Sequence, residues 1–408
     1  MRVLIATSHR NLVGGVEKYV QTLIPALLSR GHSIGLLHQH PVRCETETVD
    51  SPEQGLPGWC SAELGHEGTL RSLADWKPDV VYSQGLEDIA LENLLPARYP
   101  TVLYAHTYLG TCVSGRKCHS TPRIRPCGRQ FGPQCLVLYY PRRCGGLHPG
   151  TMWRMYRQQS QRRAGFAGYR AVLVASRHMR REYERHGAPR VQLLALPMTG
   201  GIPNTGAPPA RLPQGRILFV GRLVDVKGAC HLVRAIPYAA SQLGCKLTLT
   251  VAGDGPERAH VQDLATQLNV DIVFSGWLDA QQKLDLIRQS DLLAVPSLWP
   301  EPFGLVGLEA GSLGVPAAGY AVGGIPDWLI PGETGELAPG DPPTVKGLAG
   351  AMVRALADPA HYNRLRQGAW AKSRQFTLDG HVDGLEQVLA ACAPAKTVTV
   401  SIPAAVDS

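Results

Sequence analysis

The sequence predicts an α/β protein built from two doubly wound, Rossmann-like domains that face each other across a cleft. Short runs rich in Val, Ile and Leu recur at helix-length intervals. Such near-continuous apolar strands belong to parallel sheets buried on both faces. The series breaks once, at a stretch dense in Pro and Gly over 197–216, and then starts again. The length, 408 residues, also exceeds one ordinary core and suits two domains of about 200 residues each.

In the first half the expected strands are 2–8, 33–39, 79–85, 101–107, 171–177 and 191–197. After the break they are 216–222, 246–255, 271–277, 291–297, 315–321 and 335–340, with helices over 227–243, 256–268, 280–289 and 304–313. The break reads as an interdomain linker. The expected domains are therefore 1–198, with a cysteine-rich insertion over 108–150, and 199–392. The last helices are expected to pack back on the first domain, and 393–408 to form a loose tail. In doubly wound sheets ligands sit beyond the carboxyl ends of the strands, so the loops there should carry function.

Composition narrows the class. Hydrophobic content of 44% and charged content of 18% describe a globular chain. No apolar run approaches the roughly 18–20 residues that span a bilayer. The opening "MRVLIATSHR" reads as a first strand rather than a signal peptide. A cytoplasmic address is expected, which would keep the ten cysteines reduced. Net charge is +8 and uneven: eleven arginines lie between Arg142 and Arg185 against two acids, Glu182 and Glu184. Such a block suits anionic partners or is a solvated basic face.

Three motifs offer chemistry. In "VGRLVDVKG" (220–228) a strand ends and Arg222 and Lys227 follow, placed to neutralise a phosphate or diphosphate or simply to meet solvent. In "HRNLVGGVEKYV" (9–20), Gly14 and Gly15 open a helix, where backbone amides can approach an anion or the pair can form a tight turn. In "WPEPFGLVGLEAGSLGVP" (299–316), Pro302 suits a first helical turn. Glu301 then precedes the helix, free amides lie near Phe303, Gly304 and Leu305, and Glu309 lies about 7–8 Å further along it. Glu301 as a cap with Glu309 solvated fits poorly, because the small and apolar neighbours imply burial and a buried carboxylate needs a partner.

Glu-x7-Glu after "VPSLWPEPFG", with "FVGRLVDVKG", "VAGDGPER" and "GGIPDW", resembles the retaining glycosyltransferases of family 4, the glycogen-phosphorylase-like group 1 enzymes of GT-B fold. The resemblance runs through most of 1–340 and is densest over 216–340. It implies a nucleotide-diphosphate sugar as donor substrate, with a uridine or guanosine base, bound mainly to the second domain. Arg222 and Lys227 would hold the diphosphate, with the amides of Gly304 and Leu305 beside Phe303 and with Gly15, next to Gly14, approaching from the first domain. Glu301 would bind the sugar's 3- and 4-hydroxyls and Glu309 the ribose, with the base near Gly253, Gly276 and Trp277. His106, after "TVLYAHT", would lie next to the transferred sugar. The implied reaction retains anomeric configuration by front-face attack, with no cofactor and no metal, and the sequence has no Asp-x-Asp. Two positions depart from the pattern: Thr107 where many relatives have Asp, and Asp327 where Glu is commoner.

Five cysteines, Cys112, Cys118, Cys127, Cys135 and Cys144, fall in the 108–150 insertion, without the close pair usual at zinc sites. A structural zinc, an acceptor-shaping loop with free thiols, and disulfides all remain open. With the basic block beside it, the insertion is expected to grip a glycan or lipid-linked acceptor carrying phosphate, at an anionic membrane surface reached through 142–185. Other readings are a GT-B phosphorylase, a sugar-nucleotide epimerase, an inactive binding module and a nucleic-acid binder. Aromatics at 6% and no recognition motif argue against nucleic acid.

Overall fold

Val3, Leu4, Ile5 and Ala6 are wholly enclosed in the computed structural model, on both faces of one strand. That is the burial their uninterrupted apolar run demands, at about 2 kcal/mol for each large aliphatic side chain. Residues 1–43, 47–198 and 206–394 are described. Most of the linker's centre and most of the tail expected from 393 therefore lie outside the described residues.

The first half runs β1 (Arg2–Thr7), α1 (Gly15–Ser29), β2 (Ser33–His38), β3 (Gly58–Cys60), α2 (Ser61–Trp76), β4 (Val80–Ser83), α3 (Ile89–Arg98) and β5 (Thr101–Ala105). The insertion follows, with the hairpin β6 (Cys118–His119) and β7 (Arg125–Pro126) and the short α4 (Gln134–Leu138). Then come α5 (Pro149–Gly165), β8 (Ala171–Val174), α6 (Arg177–Arg185) and β9 (Val191–Leu193). The seven-stranded sheet is parallel throughout, in the order β3-β2-β1-β4-β5-β8-β9.

The second half has β10 (Arg216–Val220), α7 (Ala229–Leu243), β11 (Thr248–Ala252), α8 (Arg258–Gln267), β12 (Asp271–Gly276), α9 (Ala280–Gln289) and β13 (Leu292–Val295). It continues with α10 (Val306–Ser312), β14 (Ala317–Tyr320), β15 (Gly335–Ala338), α11 (Val345–Leu356), α12 (Pro359–Ser373) and α13 (Leu378–Cys392). Its six strands are also parallel, ordered β12-β11-β10-β13-β14-β15. Both orders reverse direction beside a central strand, β1 in one and β10 in the other, which is where doubly wound sheets open a ligand crevice.

The chain ends by crossing back. Val382, Leu385, Val388 and Leu389 of α13 complete the core under β1, β4, β5 and α1. His381 fixes the crossing: its Nε2 meets the Tyr19 hydroxyl at 2.8 Å and its Nδ1 meets the Ala195 carbonyl at 2.8 Å. Arg30 adds ion pairs to Asp383 and Glu386.

Candidate active site

The second sheet brings three loops together at its carboxyl edge. Gly253, after β11, bridges to Gly276 at the end of β12. A Cβ on Gly253 would collide with the Gly221 carbonyl after β10, and its φ of 138° suits glycine. Arg222 therefore emerges beside these glycines, exposed and with no side-chain partner among the described residues. Trp277 follows them and is 73% exposed, although nothing in the packing requires an indole there.

Glu301 sits in the loop after β13 and is only 5% exposed. Its carboxylate is held from one side. Oε1 accepts from Lys227 Nζ at 2.6 Å, Ser297 Oγ at 2.6 Å and Trp299 Nε1 at 2.8 Å. No described residue donates to Oε2. The ring of Trp299 also underlies the Lys227 ammonium, 5.8 Å from centroid to nitrogen. The helix expected from Pro302 begins only at Val306, because Gly304 takes φ 90°, outside the helical region. The amides of Gly304 and Leu305 consequently stand outside the helix and donate to no described acceptor. Glu309 lies within α10, half-buried, its Oε1 2.7 Å from Lys283 Nζ of α9.

The "GGIPDW" loop locks this arrangement to the first half of the chain. Gly323 has φ 57°, and a Cβ there would strike the backbone of Glu301. Gly324 donates its amide to the Glu301 carbonyl at 2.7 Å. Asp327 accepts from the Arg177 amide at 2.7 Å and from Arg177 Nε at 2.9 Å, at the start of α6. Trp328 closes the loop by donating to the Phe303 carbonyl at 2.7 Å.

Across the crevice, His106 follows β5, its Nε2 2.8 Å from Gln84 Oε1 and its ring against Tyr104 and Tyr19. Enclosure, helped by His381, lowers its pKa from 6.5 to about 3, so the ring is neutral near pH 7. It lines a cavity of about 240 Å³ with Thr7, Ser8, Gln84, Tyr169 and Arg162 at the carboxyl ends of β1, β4 and β5. Gly14 and Gly15 open α1 exposed at its rim, next to the lining residues Val16 and Glu17. A larger cavity, about 1200 Å³, lies between the insertion and the second half, under Arg123, Arg125, Arg142, Arg234 and Lys346.

Two family models match the chain in succession: Glycosyltransferase Family 4 over residues 13–196 and Glycosyl transferases group 1 over 207–371. The chain belongs to the family 4, group 1 glycosyltransferases. Among curated relatives, the glycogen synthase of Mycobacterium tuberculosis is 27% identical over 378 residues, covering 88% of this chain and 86% of the relative. A D-inositol 3-phosphate glycosyltransferase of Salinispora arenicola is 34% identical over 182 residues, 42% of this chain and 40% of the relative. Among solved structures, sucrose-phosphate synthase from Thermosynechococcus elongatus superposes with a TM-score of 0.69 at 21% identity, over 96% of this chain and 98% of that one. Anabaena HepE, in complex with UDP and glucose, gives 0.63 at 17%, over 96% and 100%. These likenesses establish the GT-B fold.

In this glycosyltransferase three residues of the site carry no motif. Lys283 pairs with Glu309 from a different helix. Tyr108 is fully buried, its hydroxyl 2.9 Å from His178 Nδ1. Burial raises its pKa, and the nearby Glu182, Glu301 and Asp327 carboxylates raise it further, which places the pair between the two halves. Burial likewise lowers the His178 pKa to about 4. An aromatic two residues after His106 was the one available signal for Tyr108.

The arginine block is less free than its charge suggests. Arg162 donates to the Leu86 and Glu87 carbonyls, Arg163 to Phe131, and Arg185 to Gly128 and Arg129. Arg177 holds Asp327, and Arg180 pairs with Glu184. These side chains tie loops together. Arg143, Arg154 and Arg157 are exposed and unpaired among the described residues.

Proposed function

We propose that the protein transfers a hexose from a UDP- or GDP-sugar to a glycan, glycolipid or small-molecule acceptor, with retention at the anomeric carbon and without a catalytic metal. The observation that carries the reading is the one-sided hold on Glu301. Three donors hold Oε1, and Oε2, with no donor among the described residues, is left as an acceptor for sugar hydroxyls. Lys227 and Arg222 then supply the positive charge that a departing diphosphate needs, the work a metal would otherwise do. Exposed Trp277 offers a face for the base, and Glu309 a carboxylate for the ribose.

In the front-face reaction the bond from the anomeric carbon to the diphosphate oxygen breaks and the acceptor oxygen attacks from the same side. The acceptor proton passes to the leaving phosphate oxygen. His106, neutral and hydrogen-bonded to Gln84, lines the space in which an acceptor would lie. Relatives named as a 2-deoxystreptamine glucosyltransferase, a glycogen synthase and a D-inositol 3-phosphate glycosyltransferase support sugar transfer, and HepE bound to UDP favours testing UDP-sugars first.

We also place the enzyme at the inner face of a membrane. Val137, Tyr140, Leu147 and Trp153 are large, apolar and exposed within one stretch, interleaved with the free Arg143, Arg154 and Arg157. Apolar anchors among cations suit an anionic lipid surface. No helix among the described residues is long and apolar enough to cross a membrane.

The deciding experiment supplies UDP- and GDP-sugars with an acceptor panel in the presence of EDTA and reads product anomers by NMR. Retained configuration with undiminished rate is expected. An inverted product would overturn retention, and abolition by EDTA with rescue by Mg²⁺ would overturn metal independence. Phosphate-dependent release of sugar 1-phosphate would instead identify a phosphorylase, and acceptor-free change of the nucleotide sugar an epimerase.

A further inference from the structure

We propose that Cys112, Cys127, Cys135 and Cys144 form a tetrathiolate site for one zinc ion that holds the 108–150 insertion in shape. The insertion has little else to fold around. Its regular structure is a hairpin of two residues per strand and the five-residue α4. Its own core is Val113, Phe131 and Tyr139. So small a core does not offset the entropy of ordering some forty residues, and small units of this kind are held by disulfides or a metal. All four cysteines are free thiols.

Three sets of contacts bring the thiols together. Cys135 and Cys144 both pack on the Val113–Phe131–Tyr139 cluster, and Cys112, next to Val113 in the chain, is buried in the main core. Lys117 gathers the fourth. Its carbonyl accepts from the Cys127 amide at 2.8 Å, while its buried ammonium donates to the carbonyls of Thr111, beside Cys112, and of Arg129. Cys112, Cys127 and Cys135 each lie near enough to act electrostatically on the Cys144 thiol, and Cys112 and Cys127 act likewise on Cys118. The four are separated by 14, 7 and 8 residues, so the loops between them are long enough to wrap one ion.

No three of these sulfurs lie within 4.8 Å of one another. Tetrahedral zinc, with Zn–S near 2.3 Å, sets sulfurs about 3.8 Å apart, so side-chain rotation must close the site. Cys127, Cys135 and Cys144 are only part-buried and have room to turn. Four thiolates select a soft, tetrahedral ion over magnesium or calcium. Binding releases four thiol protons to solvent and leaves a net charge of −2. Arg142 stands close enough to offset part of it, whereas the Lys117 ammonium is already paired with Glu182 at 2.8 Å. This site is separate from the transfer chemistry, and its role is to fix the wall of the large cavity that Arg123, Arg125 and Arg142 line.

The test is the metal content of the full chain, purified reduced and without chelator after growth in zinc-supplemented medium. One zinc per chain is expected, with intense thiolate-to-metal and d–d bands when cobalt replaces it. Serine at 112, 127, 135 or 144 should each reduce zinc at least tenfold, and Cys118→Ser and Cys245→Ser should leave it unchanged. The wild-type cobalt spectrum decides even if the serine variants fold poorly, because four thiolates on the ion set it apart from the single thiolate that Cys230, grouped with Glu257 and His260, could offer. Wild-type protein without zinc, iron in its place, or a disulfide among the four on non-reducing peptide mapping would overturn the proposal.

Discussion

Lys227 and Glu301, 74 positions apart, meet at 2.6 Å where the loops after β10 and β13 converge. The cation comes from the loop after β10 and the buried anion from the loop after β13, so each presets the other before any ligand arrives. Replacing Lys227 by Ala removes the only charged donor to Glu301 among the described residues and leaves Ser297 and Trp299 to satisfy it. A fall of about 10²–10³ in kcat is expected, as for loss of one preorganised electrostatic donor. Nucleotide-dependent thermal stabilisation should also disappear. Destabilisation of about 1–3 kcal/mol is expected from the under-satisfied carboxylate, and adding Glu301→Gln should recover part of it without recovering activity. Additive losses in the double variant would show that the two side chains are not coupled.

Glu309 and Lys283 make the parallel case at the far end of the site, but nearer to solvent. An ion pair so placed contributes at most about 1 kcal/mol to stability. Glu309→Gln should therefore leave the unfolding midpoint almost unchanged while weakening nucleotide binding about tenfold, by calorimetry, if a ribose hydroxyl is its partner. A 2′-deoxynucleotide should lose less affinity in the variant than in wild type. Equal losses for both nucleotides would assign Glu309 a packing role only.

Gly323 has no side chain to offer a ligand, yet its conformation fixes where Glu301 stands. Gly323→Ala should reduce transfer at least tenfold through a Cβ clash with the Glu301 backbone. Asp327→Ala severs the link to Arg177 and should raise the acceptor KM more than the donor KM if the first half, to which α6 belongs, holds the acceptor as proposed. Arg177 is largely exposed, so global stability should change by no more than about 1 kcal/mol. A matching rise in donor KM would show that the loop serves the donor alone.

How far these relationships could be read from sequence follows from what leaves a local mark. Parallel strands buried on both faces must be apolar throughout, so "RVLIAT" and "RILFV" announced themselves. β3, three residues with Trp59 and Cys60, is too short to do so. Glu301 and Glu309 stood out as carboxylates among small apolar residues, but Lys283 did not, because its partner is fixed by how α9 packs on α10. The delayed start of α10 has the same origin: Pro302 favours a helix, and tertiary contacts hold Gly304 at a positive φ instead. The arginine block was legible as charge and illegible as structure. A guanidinium that donates to a distant carbonyl, as Arg163 does to Phe131, looks in sequence like one that meets solvent.

That distinction decides which arginines can test the membrane surface. Arg162 and Arg163 hold loops in place, so replacing them would disturb folding as well as charge. Arg143, Arg154 and Arg157 are free, and each cation near an anionic surface contributes about 1 kcal/mol. The triple Ser variant should lose roughly a hundredfold in partition to vesicles containing phosphatidylglycerol, and Trp153→Ala a further fraction, with soluble-acceptor activity unchanged. Partition that is insensitive to both would remove the membrane assignment.

Acid should loosen the fold through its buried histidines. His178, His186 and His381 each have a pKa lowered to about 4, and His106 to about 3, burial being the first cause in every case. The unfolded chain takes up these protons near pH 6.5, whereas the folded chain refuses them until about 4. Unfolding is therefore favoured as pH falls through that window, by up to about 1.4 kcal/mol per pH unit for each group, and the full stability is present above pH 6.5. His381 is the one to replace, because it pins α13 to Tyr19 and Ala195. His381→Gln should be less stable than wild type at pH 7.5 by about 1–2 kcal/mol from the lost hydrogen bonds. Between pH 7.5 and 5 its urea midpoint should fall less than the wild-type midpoint, closing the gap by about 2 kcal/mol. Parallel pH profiles for the two proteins would mean that His381 is protonated in the folded state and that other groups set the acid limit.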